Sequence, residues 1–329
     1  MNKYQHGGDV VGFAASLGCS VDEIIDLSSN INHIKPKINI DFNSLDISPY
    51  PNYEQLYQNI ANHYDISPSN LSIYNGASSS IFALFAKLDL DKCFVYTPAY
   101  LEYKRVCDIH NIKYIPIDRF HTIDKEITKN SIVVFVNPST PDGKHYNLEL
   151  LMQTWQEKNA TIIIDESFLE FCTQPSSIDK INSYDKLYII KSMTKFYGAA
   201  GIRIGCIISN QHNIKALKNI APAWQLSSFD IAYIQDALLD KDLKHKTLQS
   251  LKQNRTKLIE ILQNSSYVEH IYPSDANFLL VRLNITANKF QEILKAHKIL
   301  IRDCSNFDGL DSYHIRIAIK DMDWQLLKT

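Results

Sequence analysis

The sequence lacks any long apolar run. None of its hydrophobic stretches approaches the ~18 consecutive apolar residues that a membrane-spanning helix requires. Its first residues, Met1-Asn2-Lys3-Tyr4-Gln5-His6-Gly7-Gly8, contain no apolar core of an export signal. There is no excess of charge either: 34 Lys+Arg against 36 Asp+Glu leaves −2, with no basic stripe to hold nucleic acid. The six cysteines (Cys19, Cys93, Cys107, Cys172, Cys206, Cys304) are scattered and form no C-x-x-C pair. That spacing argues against a disulfide framework or zinc site and for reduced thiols. The 11 histidines include no H-E-x-x-H and no close pair, so no metal is expected. The expectation is a soluble, cytoplasmic protein with neither a membrane nor a nucleic acid as partner.

What is present is ordinary globular composition, 45% hydrophobic and 21% charged over 329 residues. Val10–Leu17 predicts a short helix stopped by Gly18, and Leu56, Ile60 and Ala61 fall at helical spacing within 54–63. In the middle of the chain, apolar runs are bounded by turn residues: Cys93–Tyr96, Tyr114–Ile117, Ile132–Val136, Thr161–Ile164, Leu187–Ile190 and Ile204–Ile208. They are continuous, as in strands buried on both faces of a largely parallel sheet. Helical patterns intervene at 78–88, 101–110 and 148–158, which predicts an α/β sheet of about six or more strands. Residues 230–262 read as one long helix without Pro or Gly. Two further apolar runs, Phe278–Val281 and Ile315–Ile319, predict a smaller α+β C-terminal domain. The expected division is an arm over 1–45, a large domain over 46–235 and a small domain over 236–329.

The chemistry concentrates at strand ends. Ser192-Met193-Thr194-Lys195 follows the run Leu187–Ile190 and leads through Gly198 and Gly201 to Arg203. Open α/β sheets bind ligands at the carboxyl ends of their strands. A lysine there holds an anion or, if desolvated, serves as a Schiff-base nucleophile; alone it could equally be a surface residue. Asp165 ends another buried run 30 residues earlier, where a carboxylate needs a cation or a donor. A pyridinium N–H is such a donor, and a helix N-cap is the plainer alternative. Gly76, Ala77 and Ser78 open a third segment that suits a phosphate at a helix start, or only a serine cap. Tyr100, after Thr97-Pro98-Ala99, is placed to stack on a flat ring, though an aromatic there also suits the core. The letters S-x-x-K at Ser192–Lys195 are shared with serine acyl-transferring enzymes, whose S-D-N and K-T-G elements are missing here.

Ser-x-x-Lys followed by Gly-x-x-Gly-x-Arg-x-Gly, with Asp165-Glu166 upstream, resembles the fold-type-I aminotransferase superfamily of pyridoxal-phosphate enzymes. Two further stretches are similar to the branch containing threonine-phosphate decarboxylases of cobalamin biosynthesis and histidinol-phosphate aminotransferases. They are His6-Gly7-Gly8 with 26–32, and 299–310 ending in His314–Ala318. The resemblance implies a mostly parallel, seven-stranded-type sheet with helices on both faces, and pyridoxal 5'-phosphate as cofactor. By the same resemblance Lys195 would carry the cofactor aldehyde and move protons, and Asp165 would keep the ring nitrogen protonated. Gly76, Ala77, Ser78, Ser192 and Arg203 would surround its phosphate, with Tyr100 stacked on the ring. Tyr50 would reach the cofactor of a neighbouring subunit, implying a homodimer. Arg316 matches the carboxylate-binding arginine of the superfamily, and Arg302, His6 and Asn32 resemble a site for a substrate phosphate. Thr140 stands where the superfamily usually has an asparagine beside the ring oxygen, and Phe168 where aminotransferases often have tyrosine. The decarboxylase branch is similar in having phenylalanine there. The resemblance therefore implies decarboxylation of a small phosphorylated amino acid, with transamination of the histidinol-phosphate type as the alternative.

Overall fold

Buried strands need no apolar alternation, and the continuous runs of this chain do become strands. The computed structural model describes residues 8–327. An arm carries helix α1 (Val10–Leu17), with Gly18 in the left-handed conformation at its end, and strand β1 (Ile25–Asp26). After α2 (Glu54–His63) come β2 (Leu71–Tyr74), α3 (Gly76–Lys87), β3 (Lys92–Thr97), α4 (Glu102–Ile109) and β4 (Lys113–Asp118). Then follow β5 (Ile132–Val136), α5 (Glu149–Glu157), β6 (Thr161–Asp165), β7 (Leu187–Ser192), α6 (Met193–Phe196) and β8 (Gly205–Ile208). Among the described residues seven strands form one sheet in the order β2-β8-β7-β6-β5-β3-β4, and only β8 runs antiparallel to its neighbours. Residue parity divides its two faces: Val133 and Phe135 of β5 pack into one apolar cluster, Ile132, Val134 and Val136 into the other.

The chain then passes through α7 (Gln211–Lys218), α8 (Ser228–Ala237) and α9 (Leu243–Gln263). The single long helix expected over 230–262 is thus two helices. The corner between them is pinned from outside: Asp236 accepts the backbone N–H groups of Asn39 and Ile40, and Asp240 accepts that of Lys37 at 3.0 Å. Asp240 also accepts the Asp242 N–H, a local bond that competes with helical pairing. A second, antiparallel sheet in the order β12-β13-β10-β9 is built from β9 (Val268–Ile271), β10 (Phe278–Leu283), β12 (Arg302–Asp303) and β13 (His314–Ala318). Helix α10 (Ala287–Leu294) leads to β11 (Ile299–Leu300), which pairs in parallel with β1 of the arm. Among the described residues no helix is long and apolar enough to cross a membrane.

Candidate active site

In the parallel register of β6 and β7, Asp165 lies opposite Ile190. Two residues further, β7 ends at Ser192 and turns directly into α6, which carries Lys195. Asp165 and Lys195 therefore reach the same end of adjacent strands, and both line a cavity of about 300 Å³. Burial pulls the Lys195 ammonium down to about 8, Asp165 opposes that fall, and Arg203 and Arg316 add to it. Its Nζ lies 5.5 Å from the centroid of the Phe168 ring. The nearby Lys191 is differently placed. It is fully buried and engaged by Glu166 at 2.6 Å.

Burial pushes the Asp165 carboxyl up, and a set of donors works against that. Ser167 donates to Oδ1 from its backbone N–H at 2.9 Å and its hydroxyl at 2.5 Å, while the Tyr103 hydroxyl donates to Oδ2 at 2.8 Å. Tyr103 is itself fully buried on α4.

At the start of α3 no side chain caps the helix, which leaves its first-turn N–H groups available. The approach is close there because Gly205 of β8 has no side chain: a Cβ would stand 2.3 Å from the Ala77 nitrogen. Gly76 adopts φ +80°, and a Cβ on it would meet the Arg203 guanidinium at 2.5 Å. Ser78 shares a hydrogen bond of 3.1 Å with the Tyr100 hydroxyl, and Ser192 one of 3.0 Å with Thr194. Ala77, Ser78, Tyr100, Ser192 and Arg203 all line the cavity.

The opposite wall comes from the second sheet. Arg302 of β12 and Arg316 of β13 are direct cross-strand partners, so both side chains lie on one face. Arg316 is buried, donates to the Thr140 hydroxyl at 2.7 Å and to the Ser28 carbonyl, and has an Nε–H without a partner. Burial lowers its guanidinium to about 10, and Arg302 contributes to that fall. Arg302 donates to Asn306 at 2.8 Å. Among the described residues, four basic side chains, Lys195, Arg203, Arg302 and Arg316, thus face the cavity with one carboxylate, Asp165. The excess favours a ligand with several negative charges.

Not every residue singled out in the sequence meets here. Asn32 is buried but turned away from the cavity: its amide donates to the Phe196 carbonyl and the Thr247 hydroxyl, both at 2.9 Å, and its oxygen accepts the Ile34 N–H. Ser28, Ser29, Asn30 and Ile31 form the wall in its place. Tyr50 does not line the cavity; it is 75% exposed and stacks on Trp224 at 4.1 Å. His6 lies outside the described residues. Thr140 lines the cavity. Sequence reasoning missed Ser167 and Tyr103. The first is legible as the residue two beyond an aspartate, the position where such side chains bond their own backbone. The second stands three residues after Tyr100, one helical turn further on.

The model of the family "Aminotransferase class I and II" matches residues 23–328. The adenosylcobalamin biosynthesis bifunctional protein of Leptospira interrogans is 29% identical, with 97% of this chain aligned to 40% of that protein's length. The threonine-phosphate decarboxylase of Salmonella typhimurium is 27% identical over 96% of this chain and 92% of its own. The crystal structure of the histidinol-phosphate aminotransferase from Clostridium acetobutylicum superposes with a TM-score of 0.82 and 30% identity, covering 93% of this chain and 98% of that one. Proteins of the matched family use pyridoxal 5'-phosphate. The cavity fits that group. It offers a desolvated amine for the aldehyde, a buried carboxylate for the ring nitrogen, and an uncapped helix start with Arg203 for the phosphate.

Proposed function

This chain belongs to the class I and II aminotransferases, a pyridoxal-phosphate family, and on that premise we propose that it removes CO₂ from a phosphorylated amino acid, threonine phosphate or serine phosphate. The observation that carries this reading is the facing pair Arg302 and Arg316. Like charges opposite one another across two strands are unfavourable unless something bridges them. A molecule with a carboxylate and a phosphate supplies two anions for two guanidiniums, and guanidiniums suit both groups by their planar fork.

Held by Lys195, Asp165 and Arg203, pyridoxal phosphate would supply an electron sink for the pair left when a bond at the substrate Cα breaks. The chain's own residues decide which bond that is. Arg302 and Arg316 would hold the two anionic ends and so orient the carboxylate that leaves as CO₂. Lys195, with its amine at about 8, keeps a substantial neutral fraction near neutrality and can accept or return a proton at Nζ. Asp165, oriented by Ser167 and Tyr103, would keep the ring nitrogen protonated. Arg203, Ser192 and Ser78 would grip the cofactor phosphate. The product, an amino-alkyl phosphate, suits the adenosylcobalamin biosynthesis named for the Leptospira relative. The second reading, transamination of the histidinol-phosphate type, is favoured by the 30% identity to the Clostridium structure.

Incubation with pyridoxal phosphate and phosphothreonine or phosphoserine separates the two. The expected result is stoichiometric CO₂ release independent of any keto acid. Formation of glutamate from 2-oxoglutarate, without CO₂, supports the second reading instead.

The proposed enzyme acts as a homodimer. Tyr50 and Trp224 form an exposed stacked pair, and Tyr50 shares a groove with Leu239, itself 68% exposed. Apolar surface of this kind, when contiguous, marks an interface, and a second copy that covers it would bring Tyr50 towards its partner's cavity. Sedimentation is expected to give a dimer, and Trp224→Glu to shift it towards monomer.

A further inference from the structure

Three consecutive residues on the small-sheet side link Arg302 to the large sheet, and the first two touch it. Asn306 accepts a hydrogen bond from its Nη2 at 2.8 Å. The Phe307 ring lies 5.3 Å from its guanidinium carbon and lines the cavity beside it. Asp308, the third, points the other way, into the large-sheet side: it accepts Lys104 Nζ at 2.8 and 3.0 Å and the Tyr114 hydroxyl at 2.8 Å. Lys104 belongs to α4, the helix that also carries Tyr103, the donor to Asp165. Tyr114 belongs to the edge strand β4. One anchored turn therefore joins the edge of the large sheet to the arginine on the far wall.

We infer that Asp308 is a positioning residue, a clasp that sets Arg302 at the distance from Lys195 where it receives an anionic group of the substrate. The inference rests on the reading of Arg302 as a substrate-binding residue. It follows from connectivity: the turn 306–308 is short, so displacing Asp308 displaces the two residues that orient and back the guanidinium. The clasp itself is partly open to solvent, with Lys104 and Asp308 side chains 31% and 28% exposed. An ion pair at that depth is screened by salt, so it holds the wall closed without fixing it permanently. It touches neither Lys195 nor the phosphate cradle, which separates its effect from cofactor retention.

The test uses Asp308→Ala, Lys104→Met and Arg302→Met in the full chain. Binding of phosphothreonine to cofactor-free protein is followed by calorimetry, and KM and kcat are followed in the loaded enzyme. Asp308→Ala is expected to weaken binding and raise KM about five- to twenty-fold, with kcat and the affinity for pyridoxal phosphate unchanged. Combining Asp308→Ala with Lys104→Met should add little beyond either alone, because both break one link. Asp308→Glu should restore part of the loss. If Arg302→Met raises KM and Asp308→Ala does not, the clasp is overturned while the site assignment stands. If Arg302→Met leaves binding and KM unchanged, the reading of Arg302 fails and takes the inference with it. A parallel fall in kcat, cofactor affinity and melting temperature for Asp308→Ala marks a merely structural residue and also overturns it.

Discussion

Lys195→Ala is expected to lower kcat by about 10²–10⁴-fold, the range associated with losing a positioned proton-transfer group, and to abolish covalent capture of the cofactor. Borohydride treatment of the loaded wild-type protein should leave a pyridoxyl label on the peptide containing Lys195 and on no other. The same treatment of the variant should leave none. A label on Lys191 would contradict the assignment, because that amine is held by Glu166 as part of a buried ion pair. The pH dependence is a second check. Since Lys195 is lowered to about 8 by burial and by Arg203 and Arg316, capture should be slow below that pH, where the ammonium has no lone pair, and level off above it. A midpoint near the ordinary lysine value of 10.5 would show that the amine is not desolvated.

Asp165→Asn is expected to cut kcat by about 10²–10³-fold, the loss typical of one preorganised electrostatic partner. The amide keeps the shape of the carboxylate but loses its charge, so the ring nitrogen would no longer be held protonated. The same substitution removes the group that opposes the fall of the Lys195 pKa. The midpoint of cofactor capture should therefore move to a pH below 8 even as turnover drops. A lowered midpoint together with lowered turnover distinguishes the proposed role from simple damage. An upward or unchanged midpoint, with turnover intact, would place Asp165 outside the chemistry.

Much of the fold was legible because strands buried on both faces leave continuous apolar runs, as β3 and β5 to β8 do; the edge strand β4 carries such a run although it is only partly buried. Strand β2 was not, since Leu71-Ser72-Ile73-Tyr74 is short and interrupted by a serine. The two-residue strands β1, β11 and β12 carry no periodicity at all; they exist because partners distant in sequence pair with them. The break between α8 and α9 was hidden for the same reason, as its carboxylates are fixed by the backbone of residues 37–40. At the site, Asp165, Lys195 and Arg203 could be found from sequence because strand ends and the residues just beyond them collect ligands. Asn32 could not be placed correctly. Its amide partners are Phe196 and Thr247, and nothing local to residue 32 announces either of them.

The stretch from Leu27 to Asn32 is tied at both ends to different parts of the molecule. Its beginning follows the second sheet, through Ala318 N–H to the Leu27 carbonyl and Arg316 to the Ser28 carbonyl. Its end follows helix α6, since the Asn32 N–H donates to the carbonyl of Lys195 at 2.9 Å. Four residues of wall thus work as a strap slung between the arginine that would grasp a substrate and the amine that would act on it. Any rocking of one sheet against the other must lengthen or slacken that strap, so a grip on the ligand at one end is felt mechanically at the other.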